Sequence, residues 1–225
     1  VSYPVEIFPS KDGRLIRFAK EIKAPEVVGQ FIGKNLNLAL NTAGAKADKH
    51  IVLLNDTVAT LLAGCGYENR TYSSYIGFIL GTGTNTCYIE ENANIRKIND
   101  IDPANSQIIN IESGGFAQSQ RGKIDIRFNE STINPKSNLF EKMISGAYLG
   151  PLFLEIVRQA CEDGLFSSPV IEALDQIQDL TTKEMNFYMQ HPYGNSRLAV
   201  AAGKGTREEV VKLYCLADRL TERAA

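Results

Sequence analysis

The chain has 225 residues, and its 24 lysine and arginine side chains against 26 aspartate and glutamate give a formal charge of −2 at pH 7. The 44% hydrophobic and 22% charged residues are ordinary globular values, and a chain of this length buries a core without a disulfide or a metal ion. The balanced charge argues against nucleic-acid binding, and no apolar run approaches the roughly 18 residues that a membrane span needs.

The two ends of the chain and its cysteines bear on where the protein works. The first residues, VSYPVEIF, lack the basic start and the long apolar stretch of a secretory signal. Four scattered cysteines without a CxxC pair fit reduced thiols in a cytoplasmic protein: Cys65, Cys87, Cys161 and Cys215. The chain begins at Val1 without a methionine and ends with TERAA inside a predicted helix, so we expect a fragment of a longer protein.

The first third of the chain alternates predicted strands and helices. Apolar stretches bounded by turn or polar residues predict strands at residues 5–8, 15–22 and 51–55. Apolar residues at helical spacing predict helices from near Pro25 to Gly44 and over residues 57–65. Asn55 or Asp56 is placed to cap the second of these helices.

Strands continue through the middle of the chain and give way to helices after residue 137. Strands are predicted at residues 75–80, 86–90 and 108–112, the first two joined as a hairpin by a glycine-rich stretch. Helical spacing then covers residues 139–148, resumes after Pro151 to Gly164, and returns at 167–180. Residues 186–205 are predicted to be rich in loops, and a capping box, Thr206 with Glu209, opens the last helix. The fold class is α/β or α+β.

The hairpin connection, GTGTN at residues 81–85, is the first candidate for chemistry. Gly81 and Gly83 permit backbone angles closed to other residues, so successive N–H groups can turn toward an anion, and Thr82 adds a hydroxyl. The stretch matches neither the dinucleotide fingerprint nor the Walker loop. On this feature alone, an ordinary hairpin turn is the more frequent case.

Several polar residues stand at the ends of predicted elements. Asp56 is either a helix cap or a catalytic carboxylate at the end of a strand. Three others have a plain structural alternative as a helix-start glutamate, a turn residue or a solvated charge: Glu141, Asn85 and Lys20. Glu112 places a further carboxylate at the end of a strand, before two glycines. Taken together, the carboxylates and amides suit a neutral ligand rich in hydroxyl groups, because both groups accept hydroxyl hydrogen bonds in fixed directions.

Four separated segments, in order and in spacing, resemble the hexokinase family: LLNDTVATLL (53–62), GFILGTGTNTCYIE (77–90), INIESGGF (109–116) and NPKSNLFEKMISGAYLG (134–150). The N-terminal Ser2-Tyr3-Pro4 and Ala19-Lys20 resemble that family's sugar-binding segments, and TERAA resembles its Arg-Ala-Ala helix start. The resemblance runs from end to end and is weak over 165–205. It implies an α/β fold of the actin-like ATPase (ribonuclease H-like) type, with two lobes, here incomplete.

The resemblance implies a role for each matching residue. Asp56 is expected to be the general base on the sugar 6-hydroxyl, with Lys20 on the sugar and the incoming phosphate. Gly81, Thr82 and Gly83 are expected to face the phosphates of the nucleotide. Hexose hydroxyls are expected to bind the remaining matching residues: Ser2, Asn55, Asn85, Glu112 and Glu141. The implied substrates are a hexose and ATP, with Mg²⁺ as the cofactor of the full-length protein; no residue of this chain is predicted as a metal ligand.

The sequence also departs from the family pattern. Ala19 replaces a threonine, Ser113 follows Glu112 where eukaryotic members carry tryptophan, and Ala147 and Pro151 alter the helix after Glu141. An early Asp-x-Gly-Gly-Thr-Asn phosphate loop and the adenosine segment are missing, so the fragment alone is expected to hydrolyse ATP weakly or not at all. These departures leave open a sugar-binding or regulatory protein without phosphotransfer. An actin-type structural ATPase is disfavoured, because a filament protein has no use for a set of sugar-binding side chains.

The resemblance also divides the chain and names its partners. Residues 1–54 are expected to belong to the small lobe and 55–225 to the large lobe, with a helical C-terminal half. The large lobe's missing first strands would expose a sheet edge, which puts the fragment at risk of aggregation or of forming a homodimer. Neither a nucleic acid nor a membrane is expected as a partner.

Overall fold

The computed structural model describes residues 3–8, 10–17, 24–46, 48–66 and 72–225. Two small sheets occupy the first half of the chain. Strands β1 (Val5–Ile7) and β2 (Gly13–Leu15) pair antiparallel, with Val5 opposite Leu15. Strands β3 (Ile76–Leu80), β4 (Thr84–Glu91) and β5 (Ser106–Asn110) form a second sheet in chain order.

Helices make up most of the remaining described chain: α1 (Ile32–Thr42), α2 (Asp56–Cys65), α3 (Lys123–Ser131), α4 (Glu141–Ile144), α5 (Leu149–Glu162), α6 (Ser168–Asp175), α7 (Thr182–Gln190), α8 (Arg197–Ala202) and α9 (Arg207–Ala224). The chain forms two compact units. Unit 1 comprises Val1–Gly77 and Cys87–Ile109, and unit 2 comprises Phe78–Thr86 and Asn110–Ala225. The expected lobe division after residue 54 remains a prediction.

In unit 1, the carboxylate of Asp12 fixes the start of α1. Its Oδ1 accepts the N–H groups of Gly13 and Gly33, both at 2.7 Å, and its Oδ2 accepts that of Lys34 at 3.0 Å. Burial by itself raises the pKa of Asp12, but the three backbone N–H groups outweigh it and lower the pKa below its ordinary value. A helix without a Ser, Thr, Asp or Asn cap of its own therefore gains one from a distant turn.

Unit 2 is organised around α5, whose inner face is fully buried at Leu152, Phe153 and Val157. Tyr188 of α7 is completely buried, and its hydroxyl donates to the backbone carbonyl of Val210 at 2.9 Å. Burial raises the pKa of Tyr188, so the phenol stays protonated throughout the physiological range.

Glu209, three residues after the cap of α9, binds two helix starts at once. Its carboxylate accepts the N–H group of Thr206 at 2.8 Å and that of Ser167, the cap of α6, at 2.6 Å. These backbone hydrogen bonds, with a further one from the Thr206 hydroxyl, lower the pKa of Glu209 to about 2. The capping box predicted from the sequence is confirmed, and it also joins α9 to α6.

The first half of the chain departs from the predicted elements in three places. The second strand is Gly13–Leu15, whereas it was expected over 15–22, of which 18–22 lie outside the described residues. Residues 25–27 form only a 3-10 turn, and Gly29 at φ 81° separates it from α1. Residues 51–55 are not assigned as a strand, although the N–H group of Leu53 donates to the carbonyl of Lys11 at 2.9 Å.

The second half of the chain is more helical than predicted. Residues 186–205 were expected to be loops, but α7 and α8 lie there, each with a hydroxyl cap, from Thr181 and Ser196 respectively. Helix α3 was not predicted. The helix expected from residue 139 is interrupted after α4, where Ser145 adopts an extended conformation with ψ of 157°. The predicted mixture of strands followed by helices is confirmed.

Candidate functional site

The turn between β3 and β4, residues 81–83, is anchored by its carbonyl groups. The N–H group of Gly146 donates to the carbonyl of Gly81 at 2.7 Å, and that of Ala147 to the carbonyl of Thr82 at 3.0 Å. In a trans peptide the C=O and the following N–H point in opposite directions. The N–H groups of Thr82 and Gly83 therefore both point away from residues 146–147, an arrangement able to receive an anion.

The glycines of this turn do not work in the way that the sequence predicted. Neither Gly81 nor Gly83 is among the residues with positive φ, so neither uses a backbone angle closed to other residues. The N–H directions come instead from the hydrogen bonds with residues 146–147. The expectation of paired N–H groups stands, but its cause lies elsewhere in the chain.

Glu141, the first residue of α4, is a buried carboxylate with fixed partners. Its side chain is 6% exposed, its Oε2 accepts the N–H group of Thr84 at 2.9 Å, and its Oε1 accepts the side-chain amide of Asn138 at 3.2 Å. A carboxylate has about four acceptor sites. Two of them are used here, so the group can accept further hydrogen bonds from a ligand hydroxyl.

Gly114 allows this carboxylate to approach the end of the sheet. A Cβ atom at Gly114 would lie 2.9 Å from the carbonyl oxygen of Thr84 and 3.3 Å from Oε2 of Glu141. The first distance is shorter than real Cβ contacts and is to a backbone atom that cannot swing aside, and the second is tighter than most Cβ contacts. Only glycine fits here, so the segment after Glu112 packs directly against Glu141.

Asn85, Asn110 and Glu112 form a hydrogen-bonded network at neighbouring strands. Asn110 accepts from the side-chain amide of Asn85 at 2.7 Å and donates to Oε1 of Glu112 at 2.7 Å. The amide of Asn85 lies 3.4 Å from the same Oε1, and its carbonyl accepts the N–H group of Thr86 at 2.7 Å. Glu112 is exposed and has left-handed backbone angles, φ 56° and ψ 48°. The network thus holds two predicted sugar ligands in a defined orientation.

Asn110 was not singled out from the sequence, although a signal was available. Residues two apart in a strand project from the same face. Asn110 precedes Glu112 by two positions and lies beside Asn85 across neighbouring strands. An amide at this spacing from a candidate carboxylate therefore belonged to the same candidate site.

The residues expected to act as catalytic base and as a further sugar ligand stand at the start of α2, in unit 1. Asn55 caps the helix, its Oδ1 accepting the N–H group of Thr57 at 2.8 Å, and Oδ1 of Asp56 accepts the same N–H at 2.9 Å. Both side chains are half-buried. The structural role that the sequence left open is therefore real for Asn55, while the catalytic role of Asp56 remains a prediction.

The remaining predicted residues differ in status. Ser2 and Lys20 lie outside the described residues. Asn85, Glu112, Glu141 and residues 81–83 all belong to unit 2, where the contacts through Thr84 and Gly114 bring them together. The expectation that Asn55 and Asp56 share a pocket with them remains a prediction.

Two basic residues fix α4, which carries Glu141. Lys142 is buried and donates to the hydroxyl of Thr132 at 2.8 Å and to the carbonyl of Asn134 at 2.7 Å. Burial lowers the pKa of Lys142, an effect opposed by the neighbouring carboxylate of Glu141. The helix is thereby tied to the loop before it.

The other basic residue is Arg223, in the Arg-Ala-Ala segment. This segment lies in the last turn of α9. The guanidinium donates to both oxygens of buried Asp125, at 2.9 and 3.0 Å, and to the carbonyl of Met143 at 3.1 Å. The end of α9 is therefore joined to both α3 and α4.

The described ranges of the chain bear on membranes and on metal ions in two ways. No helix there is long and apolar enough to cross a membrane. No group of three or more His, Cys, Asp or Glu side chains is placed there to hold a metal ion.

Comparisons with known proteins identify the family of the chain. Two family models described as hexokinase match residues 1–66 and 75–225. Hexokinase-10 of Oryza sativa subsp. japonica is 35% identical over 187 residues, which cover 82% of this chain and 36% of that protein. Hexokinase-1 of Homo sapiens is 34% identical over 170 residues, covering 73% of this chain and 18% of that protein. The chain thus spans less than half the length of these relatives.

Solved structures give the same answer for the fold. A hexokinase from Schistosoma mansoni, complexed with glucose, superposes with a TM-score of 0.78 at 23% identity, covering 99% of this chain and 52% of that chain. The predicted α/β fold of the actin-like ATPase type is confirmed, and the chain contains about half of it.

Proposed function

Because the chain belongs to the hexokinase family, we propose that the complete protein transfers the γ-phosphate of ATP to the 6-hydroxyl group of a hexose such as glucose. One observation carries the proposal. The hydrogen bond from Thr84 N–H to Glu141 joins the turn proposed for phosphates to a carboxylate proposed for sugar. A phosphoryl acceptor and donor must lie side by side, and this contact supports such an arrangement within unit 2.

The sugar hydroxyls are proposed to bind Glu141 and the network of Asn85, Asn110 and Glu112. A neutral polyol offers several O–H donors, and these side chains present acceptor oxygens whose directions are already fixed. Asn55, Ser2 and Lys20 are proposed as further contacts from unit 1. A sugar that lacks one of these hydroxyls would leave the protein group that binds it without a hydrogen-bond partner. Such sugars are therefore expected to react slowly.

Asp56 is proposed as the general base. As the bond between the sugar O6 and the γ-phosphorus forms, the bond from that phosphorus to the oxygen bridging to the β-phosphate breaks, and ADP leaves. The hydroxyl proton passes to the Asp56 carboxylate. General-base assistance contributes about 10²–10⁴-fold, and positioning of the reactants contributes the larger share of the acceleration.

The phosphates of ATP are proposed to bind the N–H groups of Thr82 and Gly83. Mg²⁺ would neutralise phosphate charge in the complete protein. The described residues do not include a cluster suited to this ion, so no ligand for Mg²⁺ is assigned to this chain. The cytoplasmic location and the homodimer also remain predictions.

A second candidate is a sugar-binding or regulatory protein without phosphotransfer. Alanine at position 19, where the family pattern has threonine, and the missing Asp-x-Gly-Gly-Thr-Asn phosphate loop favour it, whereas Asp56 and Thr82 oppose it. This candidate predicts glucose binding without turnover, whereas the kinase predicts both.

The test uses the protein expressed from its complete reading frame. We expect ATP-dependent formation of hexose 6-phosphate, and an Asp56→Ala variant that loses about 10²–10⁴-fold in kcat while glucose still binds by calorimetry. Asp100→Ala, at an exposed turn position, is the matched control and should retain full activity. Turnover near the wild-type value in Asp56→Ala would show that the base is another residue. Absence of turnover in the wild type, with glucose binding intact, would favour the second candidate.

A further inference from the structure

The segment after α4 contacts the turn at residues 81–83 through backbone atoms alone. The N–H groups of Gly146 and Ala147 donate to the carbonyls of Gly81 and Thr82. The N–H group of Gly81 donates in turn to the carbonyl of Gly83 at 2.9 Å, which closes the turn on itself. Side-chain chemistry plays no part in these three hydrogen bonds.

Position 146 has no room for a side chain. A Cβ atom there would lie 2.9 Å from the carbonyl oxygen of Gly81 and 3.5 Å from its carbonyl carbon. The first distance is shorter than real Cβ contacts, and both neighbours are backbone atoms, so the turn itself would have to move. Gly146 is not among the residues with positive φ, so glycine is required here for space and not for conformation.

The segment that holds the turn is itself held by α4. The N–H group of Ser145 donates to the carbonyl of Glu141 at 2.9 Å, while the Glu141 carboxylate binds Thr84 N–H at the other end of the turn. Residues 141–147 therefore form hydrogen bonds with the turn and with Thr84, the residue that follows it. Positions 146 and 147 contact the carbonyls of Gly81 and Thr82, whereas the Glu141 carboxylate contacts Thr84, so a change at position 146 acts first on the peptides that carry the N–H groups of Thr82 and Gly83.

We propose that Gly146 is a positioning residue for the phosphates of ATP, a role that rests on the proposed kinase function. Because residue 146 has no side chain, the N–H groups of Gly146 and Ala147 can hold the carbonyls of Gly81 and Thr82, an arrangement that we call the clamp. The clamp turns the N–H groups of Thr82 and Gly83 toward the phosphate oxygens.

The experiment is a Gly146→Ala substitution in the protein from the complete reading frame. Loss of one charge-assisted hydrogen bond corresponds to a factor of about 10–100. We therefore expect the KM for MgATP to rise, or kcat to fall, by about 10-fold or more. The Kd for glucose, measured by calorimetry without ATP, should stay within about twofold of wild type, since the clamp acts on phosphate donors.

Gly64→Ala is the matched control, because it makes the same substitution in α2 at a place where a Cβ atom meets nothing within 4 Å. It should leave the KM for MgATP, kcat and the Kd for glucose unchanged. A general loss of structure in Gly146→Ala would weaken glucose binding and ATP use alike, and it would lower the far-ultraviolet circular dichroism. In a folded Gly146→Ala variant, an unchanged KM and kcat for MgATP would overturn the positioning role.

A measurement on the wild type covers the case in which the variant does not fold. Hydrogen exchange followed by NMR should find the N–H groups of Gly146 and Ala147 protected in the free protein. Those of Thr82 and Gly83 should gain protection only when MgATP is added. Unchanged exchange at Thr82 and Gly83 in an enzyme that turns over would overturn the proposal alone. An enzyme that forms no hexose phosphate would overturn the proposed function with it.

Discussion

Replacement of Glu209 by glutamine tests how one carboxylate joins two helices of unit 2. The hydrogen bonds from Ser167 and Thr206 lower the pKa of Glu209 from 4.5 to about 2, and the side chain is only 6% exposed. At about 1.4 kcal/mol per tenfold change in proton affinity, the ionised carboxylate stabilises the folded state by about 3 kcal/mol at neutral pH. Glutamine retains one acceptor oxygen, so we expect Glu209→Gln to cost about 1–3 kcal/mol.

The sign of the pH dependence follows from the direction of the shift. Because the folded-state pKa lies below the unfolded one, the stabilisation is complete well above pH 4.5 and is lost as the pH falls toward 2. At pH 3 the contribution shrinks to about 1 kcal/mol. The gap in stability between wild type and Glu209→Gln should therefore narrow by more than half between pH 7 and pH 3.

Urea unfolding at both pH values measures this gap. The chain has no tryptophan, so circular dichroism at the helix band is the appropriate signal. With a slope of about 1–3 kcal/mol per molar urea, the midpoint at pH 7 should fall by about 1 M. Glu208→Gln is the control: Glu208 is exposed, pairs only at the surface with Lys212, and should shift the midpoint little. Equal midpoints for the two variants, or a gap independent of pH, would refute this account of the Glu209 carboxylate.

Three further substitutions probe the candidate site and its supports. Asn110→Ala removes the amide that orients two proposed sugar ligands, Asn85 and Glu112. The KM for glucose should rise about 5–10-fold, as expected for the loss of one hydrogen bond. An unchanged KM would count against the network. Arg223→Ala leaves the buried Asp125 carboxylate without its ion pair and should cost about 2–4 kcal/mol in urea unfolding, whereas exposed Arg219→Ala should cost less than about 1. Tyr188→Phe removes one buried hydroxyl donor and should lower the free energy of unfolding by about 1 kcal/mol; no change would mean that the hydroxyl contributes nothing net.

Elements with a complete local signal were predictable from the sequence. Thr206 and Glu209 define the start of α9, and Asn55 defines the start of α2, because a capping side chain and its backbone partner lie within four residues. The same signature, Thr181 with Glu184, stands before α7 and was overlooked within a segment rich in turn-forming residues.

Elements that depend on distant partners were not predictable in this way. The strand expected at residues 51–55 has the right apolar pattern, but a strand exists only where a neighbour supplies a ladder of hydrogen bonds. The helix expected from Pro25 begins only at Ile32, whose first turn is capped by Asp12 from twenty residues earlier.

The candidate site shows the same division between local and distant determinants. The residue types at its centre were visible in the sequence because each stands at the end of an element. The reason why only glycine fits at positions 114 and 146 was not visible, because the atoms that exclude a side chain come from β4 and from the turn before it.

At position 112 the left-handed backbone favours glycine for stability, whereas the proposed sugar binding requires the carboxylate of Glu112. A non-glycine residue in that conformation costs about 1–2 kcal/mol, and glycine would relieve it. Directed evolution that selects only for thermal stability should therefore enrich glycine at position 112. Selection for growth on sugar should retain glutamate there. Comparison of the two screens would distinguish positions selected for stability from positions selected for sugar use.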